Sequence, residues 1–358
     1  MMKLFIAALI FSTLIVLTGC GGDGVPADPE IRDYSQTFSS LPTTSIYPED
    51  NALSVEKEQL GELLFWDPIL SGDQNVACAS CHHPDFGWAD GRRFSVGSDG
   101  IGLGPDRFGD EVTPLHAPTI LNVAFTGLSN TGPQDNFVSG GYFWDLRADT
   151  LEEQAIGPIK NPVEMLGYNV SEDAIFDEII MRLQAIPEYV DRFEQAFETT
   201  DAITEQNIAN AIATFQRKII APNTRFDRFL DGETDIFSEQ EVIGLNKFID
   251  GGCSRCHSGP MLSDNLLRDD DIIVGDRAVR TPTLRGLSAT APFMHDGSSS
   301  GLNDAISIYE ERDDIEVTIG DGDFGDIEVF LRTLNTNNFY RAIPTSVPSG
   351  LTVGGDIN

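Results

Sequence analysis

The sequence predicts a mostly α-helical chain, built as two similar helical units with long loops. Three observations predict it. Apolar residues recur at helical spacing in several short segments. Strand-like alternation is sparse. One five-residue motif, Cys-x-x-Cys-His, occurs twice, at Cys78–His82 and Cys253–His257, each time after an amphipathic stretch.

The elements follow in chain order. Lys3 precedes an almost wholly apolar run, Leu4 to Leu17, that ends in Leu17-Thr18-Gly19-Cys20. This reads as a lipoprotein signal over residues 1–20, with Cys20 as the lipidation site; the alternative is an ordinary secretory signal with a chance cysteine. The run is too short and too N-terminal for a spanning helix in the mature chain. A lipid on Cys20 places the protein on the periplasmic side of a bacterial membrane, held by the anchor alone. Residues 21–46, with Pro26, Pro29 and Pro42, read as a tether. Residues 56–65 predict a short amphipathic helix. From Gly87 to Gly141 the text is rich in Gly, Pro and Asp, which predicts a long functional loop. Leu151 to Ile156 reads as a helical turn stopped by Gly157-Pro158. Helices are predicted over 171–183, 187–197 and 204–220. The last of these is the cleanest, with Thr204 as N-cap and Glu205 suiting the dipole, although Asn207 leaves the capping box incomplete. Residues 222–233 read as a join. A helix over 238–249 leads into the second motif, and Leu63–Asp67 weakly matches Asn246–Asp250. A final helix is expected over 326–334, capped by Asp326, with an extended tail after Phe339. The domain reading is therefore 47–222, completed by 335–358, and 223–334.

The net charge of −34 excludes nucleic acid as a partner. Such a surface steers a basic redox partner, or keeps the chain soluble in a salty habitat. Runs such as Asp269-Asp270-Asp271 and Asp321-Gly322-Asp323 read as solvated loops, and Trp66 and Trp88 as packing aromatics.

A single CxxC fits a redox dithiol or half of a zinc site. Two CxxCH motifs on an exported chain point to two covalently bound c-type haems. The thiols of Cys78 and Cys81, and of Cys253 and Cys256, bond to the haem vinyl groups; His82 and His257 ligate the irons. With Cys20 this accounts for all five cysteines and leaves none for a disulfide. The units are then cytochrome c-like domains.

Longer texts add to the motifs: Tyr142–Ala148, Leu151–Ala155, Gly157-Pro158, Asn161–Met165, Arg280–Arg285 and Ala291–Gly297. Together, from about Leu60 to Leu334, they resemble the bacterial di-haem cytochrome c peroxidase/MauG family. The resemblance implies a peroxidatic haem in the N-terminal unit and an electron-transfer haem in the C-terminal one. It implies that Trp144 relays electrons between them, that Gln154 and Glu164 form the distal-pocket pair, and that Pro158 lines that pocket. A carboxylate beside an open iron face can move the proton of hydrogen peroxide from its inner to its outer oxygen, so Glu164 is the expected acid–base group and Gln154 its orienting partner. Glu152 and Glu153 read as exposed helix charges.

Three departures sharpen the subtype. Where reductively activated peroxidases carry a distal His, this chain has Ser98, so the first haem is expected open in the ferric state. His116 is a less favoured substitute ligand, and His83 is too close to His82 to reach the opposite face. Tyr309 stands where those peroxidases carry a distal Met, as in MauG; a phenolate stabilises ferric and higher-valent iron. Met294 is the alternative ligand, and a packed aromatic is the other reading of Tyr309. The calcium between the haems would keep backbone ligands at Thr290 and Pro292, but its Asn is replaced by His116. Gly251 stands where MauG carries a surface Trp that serves its protein substrate.

The expected function is an exported di-haem peroxidase of MauG-like subtype. It would reduce hydrogen peroxide with electrons from a small cytochrome or cupredoxin, or from a protein substrate. The alternatives are a conventional cytochrome c peroxidase with a His/Met second haem, and a non-catalytic electron-transfer cytochrome.

Overall fold

The computed structural model describes residues 29–128, 141–269, 277–310 and 312–357. Cys20, the signal segment and Asp270-Asp271 lie outside the described residues. Within them no helix is long and apolar enough to cross a membrane.

Nine α-helices are present among the described residues: α1 (Val55–Trp66), α2 (Leu151–Lys160), α3 (Ile175–Gln184), α4 (Pro187–Phe197), α5 (Glu205–Lys218), α6 (Arg225–Leu230), α7 (Glu239–Asp250), α8 (Leu302–Ser307) and α9 (Asp321–Arg332). The described sheet is one antiparallel pair, β1 (Leu267–Arg268) with β2 (Val279–Arg280). Ser54, Thr204 and Ser238 cap α1, α5 and α7 by accepting the N–H three residues on, and Glu241 completes the box at α7.

Two hydrophobic cores form. The first gathers α1 to α5 around Leu64, Phe65, Trp66 and Trp88. The second gathers α6, α7 and α9 around Phe226, Phe248 and Phe330. Each has the same helix crossing at its centre. A Cβ on Gly61 of α1 would stand 1.9 Å from the Ala211 carbonyl oxygen of α5, and one on Gly244 of α7 would stand 2.0 Å from that of Asp326 in α9. Four residues after each glycine, Phe65 meets Phe215 at 5.2 Å and Phe248 meets Phe330 at 5.3 Å between ring centroids. The missing Cβ lets two backbones approach, and the i+4 ring seals the crossing.

Gly61→Ala is therefore expected to destabilise the first unit by about 1–3 kcal/mol, since overpacking outweighs the helix-propensity gain of alanine. Denaturant unfolding followed by tryptophan fluorescence checks it; an unchanged midpoint would mean that the crossing relaxes freely.

Several expectations are corrected. Helix α2 does not stop at Gly157-Pro158 but runs on to Lys160. Pro158 cannot donate to the Gln154 carbonyl, so one helical bond is lost, yet packing against the following turn holds the segment helical. Ser171–Ala174 form a turn, and α3 begins at Ile175. The join at 222–233 contains α6, capped by Thr224 with Asp227. The last helix begins at Asp321 rather than Asp326, so Asp321-Gly322-Asp323 is its first turn; Asp323 accepts from the Gly320 N–H at 3.1 Å, and Asp326 instead pairs with Lys247. Tyr34, Phe38 and Leu41, read as tether, are buried, with Phe38 edge-on to Phe226 at 5.3 Å. Their aromatic and aliphatic side chains complete the core, where a free linker would expose them.

The C-terminal tail has no helix and crosses back to the first core. Gly354 N–H donates to the Trp66 carbonyl (2.7 Å) and Ser80 Oγ to the Gly354 carbonyl (2.8 Å).

Candidate functional site

Both CxxCH motifs form the same 3₁₀ turn. His82 N–H bonds the Cys78 carbonyl at 2.9 Å, and His257 N–H bonds that of Cys253 at 3.0 Å. Each imidazole then turns its Nδ1 to a main-chain carbonyl, Trp88 O at 3.1 Å and Leu262 O at 3.0 Å. That fixes the tautomer and leaves Nε2 free for a metal. Both acceptors sit at positive φ, 62° at Trp88 and 47° at Leu262.

Burial pushes the thiols of Cys78, Cys81 and Cys253 up to about 12, and raises Cys256 too. A redox dithiol needs the opposite shift. Nor are the two pairs gathered with each other: among the described residues no group of three or more His, Cys, Asp or Glu side chains could hold a metal ion. Two partly buried thiols beside an imidazole oriented through its Nδ1 fit covalent haem.

Around the second motif lies an apolar cavity of about 240 Å³, whose lining includes Cys253, Cys256 and His257 together with Met294, Ile306 and Tyr309. Trp144 and His116 also reach its wall. The Trp144 ring is buried, donates from Nε1 to the His116 carbonyl at 2.8 Å, and stands edge-on to His295 at 6.4 Å.

Two loops around this cavity repeat each other. Tyr142 bridges Ala148 and Phe293 bridges Ser299, with an N–H···O bond of 2.7 Å in each. Positive φ falls at Phe143 and Leu146 in one, and at Met294 and Gly297 in the other. Asp145 and Asp296 each accept from the N–H two residues on. Leu151 and Leu302 then begin α2 and α8. By this register Trp144 matches His295, and Pro158 matches Tyr309. Sequence reasoning missed the repeat; the matched spacing from Asp145 to Leu151 and from Asp296 to Leu302 was its signal.

Glu164 sits in a single π turn, Pro162–Leu166, directly after α2. Such bulges recur at functional sites. Asn161 caps the turn and donates from Nδ2 to Glu164 at 2.8 Å. Burial raises the Glu164 carboxyl above its ordinary value, against the opposing Arg147 charge and the Asn161 bond. Its charge is felt at Cys78 and Cys81 of the first motif. Gln154 and Pro158 lie one turn apart on α2, on one face, with Phe143 packed at Gly157 between them. No hydrogen bond joins Gln154 to Glu164 among the described residues. Asn161 and Arg147 were not given roles from sequence; both follow from folding the Tyr142–Ala148 loop onto α2.

Ser98 packs against this same turn. Its N–H donates to Val163 O at 3.2 Å and its hydroxyl to Pro162 O at 3.0 Å. The hydroxyl is thus committed to main chain. Arg107 holds the loop by donating to the carbonyls of Val96, Gly97 and Gly102.

His116 is buried, with Nδ1 2.6 Å from the Arg92 carbonyl oxygen. Pro292 forms a cis peptide bond with Ala291, and both Thr290 and Pro292 line the second cavity. A ring nitrogen committed to a carbonyl does not fit the oxygen set that calcium prefers. Trp66 and Trp88 are fully buried, as packing aromatics should be.

Glu152 corrects an expectation. It is not an exposed helix charge but a buried carboxylate, bound by Arg217 at 2.5 and 3.0 Å and by Asn51 at 2.6 Å. Glu153 is exposed.

A family model described as di-haem cytochrome c peroxidase matches residues 55–235. The methylamine utilization protein MauG of Methylophilus methylotrophus is 32% identical over 322 residues, covering 85% of this chain and 84% of that protein. The cytochrome c551 peroxidase of Nitrosomonas europaea is 28% identical over 327 residues, covering 86% and 87%. Among solved structures, a MauG-like protein associated with microbial copper homeostasis superposes with a TM-score of 0.66 at 28% identity, covering 83% of this chain and 95% of that one.

Proposed function

The chain belongs to the di-haem cytochrome c peroxidase family, and from that premise we propose a MauG-like peroxidase whose first haem is open to peroxide in the ferric state. The enzyme is a di-haem oxidoreductase. The observation that carries the finer reading is a half-buried carboxylate, Glu164, held by Asn161 in the turn after α2, against which packs a loop whose Ser98 hydroxyl is bonded to main chain.

Cys78, Cys81 and His82 would hold one haem c, and Cys253, Cys256 and His257 the other. Each group supplies a redox-active iron at a buried site. The protein residues do the proton work. Glu164 accepts the proton on the inner oxygen of hydrogen peroxide and returns it to the outer oxygen, which leaves as water. Asn161 holds the carboxylate by one oxygen and leaves the other available. Gln154 orients peroxide from α2. Trp144, held by its bond to the His116 carbonyl, relays electrons from the second unit.

Tyr309 is the proposed second ligand of the C-terminal iron. Two observations support it: it lines the same cavity as His257, and its place in the loop–helix repeat matches Pro158. One register position would close one iron with a phenolate and leave the other open with a proline. Met294 lines the same cavity at positive φ, so a conventional His/Met peroxidase is the second reading. Tyr309→Phe is expected to change the ligand-sensitive absorption of the second haem, and Met294→Leu to leave it; the reverse pattern selects the conventional enzyme. Export with a lipid on Cys20 is part of the same proposal, tested by mass analysis of the membrane fraction. The electron source would be a small redox protein or a protein substrate.

Stopped-flow absorbance of the fully ferric protein, mixed with hydrogen peroxide and no reductant, tests the open haem. Immediate spectral change is expected. A reaction that waits for reduction of one haem would return the protein to the reductively activated class.

A further inference from the structure

We propose that an aromatic path leads from the proximal side of the first haem site to Tyr340, and that Tyr340 serves as a one-electron, one-proton donor to that site. The proposal rests on the peroxide reading above.

The path starts at His82, whose Nδ1 bonds the main-chain carbonyl of Trp88 at 3.1 Å. The Trp88 indole is fully buried and lies edge-on to Phe215, 6.2 Å between centroids. Phe215 lies edge-on to Tyr340 at 5.9 Å. A second link runs parallel: Trp88 Nε1 donates to the Tyr340 carbonyl at 2.9 Å. Tunnelling falls steeply with distance, so a chain of touching rings and one hydrogen bond outruns a single long step through aliphatic core. Tryptophan and tyrosine are the side chains an oxidising equivalent visits most readily; Phe215 only couples them.

Tyr340 is built as the end of the path. Oxidising a phenol makes it strongly acidic, so the proton must have somewhere to go. The Tyr340 hydroxyl donates to Glu62 at 2.5 Å, a charge-assisted bond that presets this transfer. Burial first, then the Glu62 bond and the Glu62 and Glu58 charges, hold the phenol above its ordinary value, so at rest it keeps its proton. Lys218 lies over the ring at 4.2 Å and pairs with Glu58. Its charge disfavours a radical cation and thereby favours loss of the proton to Glu62. The other branch is a dead end. Phe65 links Trp88 to Trp66, but Trp66 is fully buried and its Nε1 has no acceptor. Tyr340 is half-buried, on the tail that crosses back over the first core, where a small one-electron reductant can restore it.

Hydrogen peroxide takes two electrons and two protons to give two waters; the two haem groups would supply both electrons, and Tyr340 would return one of them. Its O–H bond breaks and the proton passes to Glu62, leaving a neutral phenoxyl radical. The device would draw an unused oxidising equivalent away from the distal pocket when the second unit has no electron to give.

The test uses the holoprotein, one equivalent of hydrogen peroxide, no reductant, and freeze-quench electron paramagnetic resonance. A tyrosyl radical is expected in the wild type and should vanish in Tyr340→Phe with unchanged haem content and absorption. Glu62→Gln, which keeps an acceptor but not a base, should lower its yield several-fold. If the haem reacts but the radical is absent, or persists in Tyr340→Phe, the relay is overturned and the peroxidase reading stands. A haem spectrum unmoved by peroxide overturns both.

Discussion

Glu164→Gln is expected to slow the reaction of the ferric protein with hydrogen peroxide by roughly 10²–10⁴-fold, the usual loss when a positioned acid–base group is removed. Glutamine keeps the size of the side chain and can still accept the Asn161 Nδ2 bond that now runs to the carboxylate at 2.8 Å. Haem content and absorption should therefore stay at wild-type values, which separates lost proton transfer from lost folding. The pH profile gives an independent reading. The base works deprotonated, and burial raises its pKa above 4.5. The wild-type rate should fall as pH drops through that raised value, while the Gln variant, with nothing to titrate there, should lack this limb. A variant that reacts at the wild-type rate would remove Glu164 from the chemistry.

The largest stability effect is expected at Arg285. Its guanidinium is fully buried and grips Asp227 with two bonds, at 2.8 and 3.2 Å. It also donates to the Pro260 carbonyl at 2.5 Å, three residues past His257. Asp227 in turn accepts from the main-chain N–H groups of Leu41 and Thr224. Arg285→Ala leaves Asp227 charged and buried without its counterion, a loss of about 3–5 kcal/mol. Because the bond to Pro260 goes too, the second CxxCH loop should loosen. Thermal unfolding followed at the haem absorption should show the second unit melting earlier while the first is little changed. Replacing both partners, Asp227→Leu with Arg285→Met, should recover part of the loss, since the cost lies in the stranded charge rather than in the missing pair. Equal destabilisation of the single and double variants would show that the three main-chain bonds, and not the charge, dominate.

Much of this was legible in the sequence because it is local. A CxxCH turn brings its own thiols and imidazole together within five residues, so haem attachment needs no knowledge of the fold. Helix caps are local too: Thr204 caps α5 as its place before the amphipathic run predicted. The longer texts fixed Glu164 and Trp144 as residues of interest by resemblance, and Ser98 as a departure.

What tertiary structure alone decided is what depends on partners far away in the chain. Glu152 reads as a surface charge until Arg217, sixty-five residues on, meets it in the core. Tyr34 and Phe38 read as linker until the second core needs their rings. Helix α2 survives Pro158 because the turn carrying Glu164 packs on it, which no propensity scale contains. The match of Pro158 with Tyr309 rests on loop dihedrals and bridges, not on residue identity. Local covalent and capping geometry is written within a few residues and survives in any context. Burial, and with it pKa, pairing and cavity shape, is set by which distant surfaces exclude water from one another.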